Sequence, residues 1–178
     1  MSKRAVFLDR DGVLNKAVIR EGKPYPPASM GEFKLIPGVI EAVNSLHIQQ
    51  WLIIVVTNQP DVARGIALKS DVQEMNDYLS SLLPLDEVKT CFHDSGDNCY
   101  CRKPEPGFLL DSAIKYGLNL GECFMVGDRW RDIEAGQRAG CRTIFIDYGY
   151  AEKRPENADY VVSSLMEGAL IILGENHE

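Results

Sequence analysis

Short apolar runs alternate with stretches of helical period along most of this chain, and few architectures accept that rhythm. Residues 5–8, 51–56, 88–92, 123–126 and 143–146 are rich in Val, Ile and Phe and have the length of buried strands, with 160–162 as a shorter sixth. Between them, Val39, Val43 and Leu46 follow Pro37-Gly38 at helical spacing. Val72, Met75, Leu79 and Leu82 mark a second helix. Leu109, Leu110, Ala113 and Tyr116 mark a third, opened by Pro106 and closed by Gly117. Residues 131–139, closed by Gly140, and 165–173 complete the set. Strand–helix alternation of this kind predicts a parallel sheet covered by helices on both faces, a Rossmann-like three-layer α/β sandwich. At 178 residues the chain suits one domain, 1–178.

Composition narrows the partners. Nineteen Lys and Arg face 26 Asp and Glu, a net charge of −7, which argues against a sequence-independent nucleic-acid binder. No apolar stretch approaches the roughly 20 residues needed to span a bilayer, and the N-terminal run is too short for a signal peptide. A cytoplasmic protein with no membrane partner is expected, its five cysteines reduced or metal-bound. No long apolar surface stripe is evident, so a monomer is expected.

In a sheet of this type, ligands sit beyond the carboxyl ends of the strands, and the reactive side chains fall there. The first strand runs into Asp9-Arg10-Asp11-Gly12, the second into Thr57-Asn58-Gln59, and a later one into Gly127-Asp128-Arg129, with Asp132 beyond. Cys101-Arg102-Lys103-Pro104 lies between the last two. Any one strand-end Asp could be a helix cap or turn former. Together, carboxylates at one edge repel and call for a hard cation such as Mg²⁺. A carboxylate can attack phosphorus, and a second one two residues away can protonate the leaving oxygen. Thr57 and Lys103 suit phosphoryl oxygens.

The series DRDGVLN (9–15), TNQ (57–59), RKP (102–104) and GDRWRD (127–132) resembles the haloacid dehalogenase superfamily of phosphotransferases. The resemblance implies Asp9 as nucleophile, Asp11 as general acid and base, and Thr57 and Lys103 as phosphoryl stabilisers. It implies Mg²⁺ on Asp9, Asp128 and the Asp11 backbone carbonyl, with Asp132 in support. Asp11 favours phosphate-ester cleavage over dehalogenation, because an alkoxide leaving group needs a proton and a halide does not.

Cys91, His93, Cys99 and Cys101 form C-x-H-x5-C-x-C, three thiolates and an imidazole suited to a closed structural Zn²⁺ site. Buried thiols with an incidental His, or a Cys99–Cys101 redox pair, are the alternatives. Residues 94–98 are too polar to supply core, so a metal would hold the loop of about residues 91–103 and fix Arg102 and Lys103. With this cluster before CRKP, the chain resembles the subgroup of heptose-bisphosphate and histidinol-phosphate phosphatases. Phe92, Pro60-Asp61 and Arg129 depart from that pattern.

The stretch of about 15–36 is too short for a cap domain and reads as a flap loop. Arg102, Asn58, Gln59 and Arg129 are candidate substrate contacts; Lys16, Arg20 and Lys23 read individually as solvated charges. Clustered cations lean toward a small phosphorylated sugar, a bisphosphate, over histidinol phosphate. The reading from another class is a non-catalytic, zinc-stabilised binding module. Trp130 could line the pocket or pack on it, Cys123 and Cys141 read as core, and residues 148–155 as a surface loop.

Overall fold

The structure, a computed structural model, describes residues 3–174. Its elements run β1 (Ala5–Leu8), β2 (Val18–Arg20), β3 (Lys23–Tyr25), α1 (Val39–Ile48), β4 (Leu52–Asn58), α2 (Lys69–Leu82) and β5 (Glu87–Cys91). They continue through α3 (Gly107–Tyr116), β6 (Phe124–Gly127), α4 (Trp130–Ala139), β7 (Arg142–Ile146), β8 (Tyr160–Val162) and α5 (Leu165–Gly174). Every expected strand and helix is present, with ends shifted by a residue or two. His177 lies outside the described residues.

Six strands form one parallel sheet in the order β5-β4-β1-β6-β7-β8. All four residues of β1 are fully buried, as a central parallel strand requires. Its alternation feeds two cores. Val6 and Leu8 join Val43, Leu46, Met75, Leu79, Ala169 and Ile172, so α1, α2 and α5 cover one face. Ala5 and Phe7 join Leu109 and Ala139, so α3 and α4 cover the other. Cys123 and Cys141 are buried in this second core, as expected.

Chain order sets where a ligand can sit. From β1 the chain steps to β4 and β5 on one side, then returns to β6 and continues outward through β7 and β8. The reversal opens a crevice at the carboxyl ends of β1, β4 and β6.

The expected flap loop differs in one respect, since it contains an antiparallel hairpin, β2–β3. Its two-residue turn, Glu21-Gly22, has φ of 50° and 74°, the left-handed pair that hairpin twist favours. Glu at the first turn position is an uncommon signal, and Pro24 is tolerated because this small sheet is all edge. Among the described residues, no helix is long and apolar enough to cross a membrane.

Candidate active site

Asp9, Thr57 and Asp128 arrive at the crevice from the ends of β1, β4 and β6. The Asp9 amide donates to the Val126 carbonyl at 3.0 Å, extending the β1–β6 ladder to the nucleophile position. Beyond it the chain turns sharply, and the Arg10 carbonyl accepts from the amides of Val13, Leu14 and Asn15. Gly12 sits at φ 87°, and a Cβ there would lie 1.8 Å from Asp128 Oδ2, so both backbone sign and space demand glycine. Gly127 likewise admits Asp132, whose Cβ lies 2.1 Å from where a Gly127 Cβ would be.

Lys103 is 2% exposed, and three partners surround its ammonium. Nζ donates to Asp9 Oδ1 at 2.8 Å and the Val56 carbonyl at 2.6 Å, and pairs with Asp132 Oδ1 at 2.7 Å. Asp132 Oδ2 in turn accepts from the Arg129 amide at 3.0 Å, tying the cation to the start of α4. Despite burial, Asp132 and Asp9 hold the Lys103 pKa above its ordinary value.

Carboxylates outnumber cations at the centre. Oxygen atoms of Asp9, Asp128 and Asp132 lie within 4.8 Å of one another, and all three residues are buried. Burial and the Asp132 and Asp11 charges push Asp9 up to about 6, against the pull of Lys103. Burial and the charges of Asp9 and Asp132 push Asp128 well above its ordinary value. Its Oδ2 accepts from Tyr150 Oη at 2.8 Å, while Oδ1 is buried with no hydrogen-bond partner among the described residues. One ammonium against three carboxylates, with one carboxylate oxygen unpartnered among the described residues, is a donor set that fits Mg²⁺.

Asp11 is held by donors. Oδ1 accepts from Arg10 Nε at 3.1 Å, Arg10 Nη2 at 3.0 Å and Asn15 Nδ2 at 2.9 Å. Oδ2 accepts from Gln59 Nε2 at 2.7 Å, which also donates to Thr57 Oγ1 at 2.9 Å. Arg10 is fully buried and held from its other side by Asn76. A buried arginine in the nucleophile turn had no signal in the sequence beyond its place between two aspartates.

Asp9, Asp11, Lys103, Arg102 and Asp132 line a cavity of about 180 Å³ under the hairpin, with Lys23 and Tyr25 on its roof. Asn58 and Arg129 also line it, but their polar atoms have protein partners. Asn58 bonds the backbone of Lys103 through both side-chain atoms. Arg129 is bidentate on Glu152, 23 residues away, a pairing with no sequence signal. Arg131, which sequence reasoning missed, lines the same cavity. Trp130 faces the neighbouring groove over residues 94–105, with the Arg131 and Lys153 cations each 4.8 Å from its ring centre. Lys16 and Arg20 do not line the cavity; Arg20 stacks on Tyr25 of the hairpin.

The cysteine cluster closes on itself. Cys91 Sγ lies 3.3 Å from Cys101 Sγ, 3.8 Å from Cys99 Sγ and 3.5 Å from His93 Nδ1, which is 3.4 Å from Cys101 Sγ. A tetrahedral zinc with Zn–S of about 2.3 Å and Zn–N of about 2.0–2.1 Å sets ligand atoms roughly 3.5–3.8 Å apart. The donor set and spacing therefore fit Zn²⁺. Arg64 grips the loop by donating to both oxygens of Asp94 at 2.7 Å. Arg102 Nη1 donates to the His93 carbonyl at 3.2 Å.

Comparison with known proteins gives concordant matches. A family model described as HAD-hydrolase-like matches residues 100–168. A D-glycero-beta-D-manno-heptose-1,7-bisphosphate 7-phosphatase of Pasteurella multocida is 32% identical, covering 97% of this chain and 98% of that protein. A Campylobacter jejuni relative, named for the alpha anomer, is 30% identical over 82% of this chain and 83% of its own. The solved D,D-heptose 1,7-bisphosphate phosphatase of Bordetella bronchiseptica, complexed with magnesium and phosphate, superposes with a TM-score of 0.79. It is 29% identical and covers 97% of this chain and 99% of its own.

Proposed function

The chain belongs to the HAD-like hydrolase family, and we propose that it is a Mg²⁺-dependent phosphatase removing the C7 phosphate of D-glycero-D-manno-heptose 1,7-bisphosphate. The observation that carries this reading is the pairing of Asp9 and Asp11 on one cavity with Lys103 bound to Asp9. A binding module has no need of a second carboxylate placed to handle a proton. The relatives' names supply the sugar. Lys23, Arg102 and Arg131 around the cavity suit an ester that carries a second anion better than a cationic amino alcohol.

In this reading the Asp9 carboxylate attacks phosphorus as the ester P–O bond breaks, and Asp11 delivers its proton to the departing sugar oxygen. Water then attacks the aspartyl-phosphate, Asp11 takes the water's proton, and inorganic phosphate leaves with Asp9 restored. Lys103 and Thr57 stabilise the phosphoryl oxygens. Asp9, Asp128 and the Asp11 carbonyl would hold Mg²⁺, which when bound neutralises charge on the transferred group. Gln59 donates to both Asp11 and Thr57, linking the proton-handling carboxylate to the phosphoryl-stabilising hydroxyl. Cys91, His93, Cys99 and Cys101 would hold Zn²⁺, which when bound would stiffen the loop bearing Arg102 and Lys103. The chain acts as one catalytic unit, with the hairpin as flap and the zinc loop as the opposite wall.

Phosphate release from heptose 1,7-bisphosphate, histidinol phosphate and a broad ester panel, with and without Mg²⁺, tests the reading. The heptose ester should give the highest kcat/KM, and Asp9→Asn should abolish release while leaving the fold intact. Better turnover of histidinol phosphate, or retained turnover in the variant, would reject it. No Mg²⁺-dependent release from any ester would favour the binding module.

A further inference from the structure

The segment between β7 and β8 makes four separate attachments around the active site. Tyr148 Oη donates to the Gly12 carbonyl at 2.9 Å. Tyr150 Oη donates to Asp128 Oδ2 at 2.8 Å. The Ala151 amide donates to the Gly22 carbonyl in the hairpin turn at 2.8 Å, and Glu152 pairs with Arg129. The two tyrosine rings pack with centroids 5.5 Å apart. A segment that reads in sequence as a surface loop is thus tied to the nucleophile turn, the Asp128 loop and the flap.

The consequence falls on Asp128. Its carboxylate is confined on one side by Gly12, where even a Cβ would overlap Oδ2. The Tyr150 hydroxyl takes that same Oδ2, and among the described residues Oδ1 is left buried and unpartnered, on a carboxylate with an oxygen within 4.8 Å of oxygens of Asp9 and Asp132. A carboxylate free to rotate would exchange its two oxygens; one pinned through Oδ2 presents Oδ1 in a fixed direction. We propose that Tyr150 is a positioning residue that orients Asp128 so that Oδ1 is held ready for the divalent cation. This rests on the Mg²⁺ reading of the Asp9–Asp128 site. Hydrogen-bonding partners of ligating carboxylates typically contribute about 10–100-fold to metal affinity.

Tyr150→Phe isolates the hydroxyl, because the ring can keep its packing on Tyr148. The measurement is Mg²⁺ affinity without substrate, from calorimetric titration and from the rise of Tm with Mg²⁺ concentration. The metal-free Tm of the same protein separates metal affinity from general stability. Mg²⁺ affinity should fall about 10-fold or more, with the ester KM little changed once Mg²⁺ saturates. Unchanged Mg²⁺ affinity would overturn the role, as would a raised ester KM at unchanged Mg²⁺ affinity, which would mark Tyr150 as a substrate contact. Wild-type protein that binds no Mg²⁺ would overturn the positioning role together with the site it serves.

Discussion

The Asn58 side chain clamps the backbone of Lys103 at two points: Nδ2 donates to its carbonyl at 3.0 Å, and Oδ1 accepts from its amide at 3.1 Å. The strand-end residue of β4 thereby sets the position of the lysine that meets Asp9, across 45 residues of chain. Asn58→Ala removes both bonds and should cost about 1–3 kcal/mol of stability, at roughly 0.5–1.5 kcal/mol per hydrogen bond. Its kcat should fall more than its KM rises, because the displaced group serves the transferred phosphoryl. Denaturant unfolding and steady-state kinetics of the variant check both. A large KM effect with unchanged kcat would instead make Asn58 a direct substrate contact.

The pH dependence of Mg²⁺ binding follows from Asp9 and Asp128. Burial and facing carboxylates raise Asp9 to about 6, and Asp128 moves in the same direction. Between the ordinary carboxylate range near 4 and that value, the folded metal-free protein holds a proton the unfolded chain has lost. Its stability therefore declines as pH rises through this window. Mg²⁺ must displace the same proton, so the rise in Tm produced by Mg²⁺ should be small near pH 5 and grow through about pH 7.5. Asp9→Asn should flatten part of that growth. Equal Mg²⁺-induced shifts at both pH values would contradict the carboxylate site.

Zinc should prove structural. Cys99 is the most exposed of the three clustered thiols, and Cys99→Ser is the mildest way to open the set. Elemental analysis of wild type should give about one equivalent of zinc, and the variant should lose it. Because Cys101 adjoins Arg102 and Lys103, the variant should show lower Tm and lower kcat, neither restored by added Mg²⁺. Fully folded, fully active protein without zinc would contradict the assignment.

Residues at strand ends were the legible part of this site. A buried parallel strand announces itself by composition, its end is marked where polarity returns, and Asp9, Thr57 and Asp128 stand at three such ends. The cysteine cluster was legible because four metal-binding side chains lie within 11 positions. Tyr150 was not, since nothing local to residues 148–152 says that the segment folds back over Asp128. Arg10 was hidden because arginine is ordinarily exposed, and only the tertiary pairing with Asp11 and Asn76 buries it. The hairpin was missed because its turn carries Glu in a left-handed conformation, where Asn, Asp or Gly is the usual sign.

Arg131 should discriminate bisphosphates from monophosphates. Arg129 is neutralised by Glu152, and Arg64 by Asp94 and Asp61, whereas Arg131 makes no ion pair among the described residues. It stands with Arg102 between the active-site cavity and the groove over the zinc loop. Burial and the like charges of Arg129 and Arg102 lower its pKa, a strain that a second anionic group on the substrate would relieve. A charged hydrogen bond is worth about 1.5–3 kcal/mol, so Arg131→Ala should raise KM for heptose 1,7-bisphosphate roughly 10-fold or more. Since Arg131 touches neither Asp9 nor Lys103, kcat should hold. KM for heptose 7-phosphate should barely move, because that ester lacks the second group. Equal losses on both substrates would place Arg131 on the transferred phosphate, and no loss on either would remove it from the substrate site.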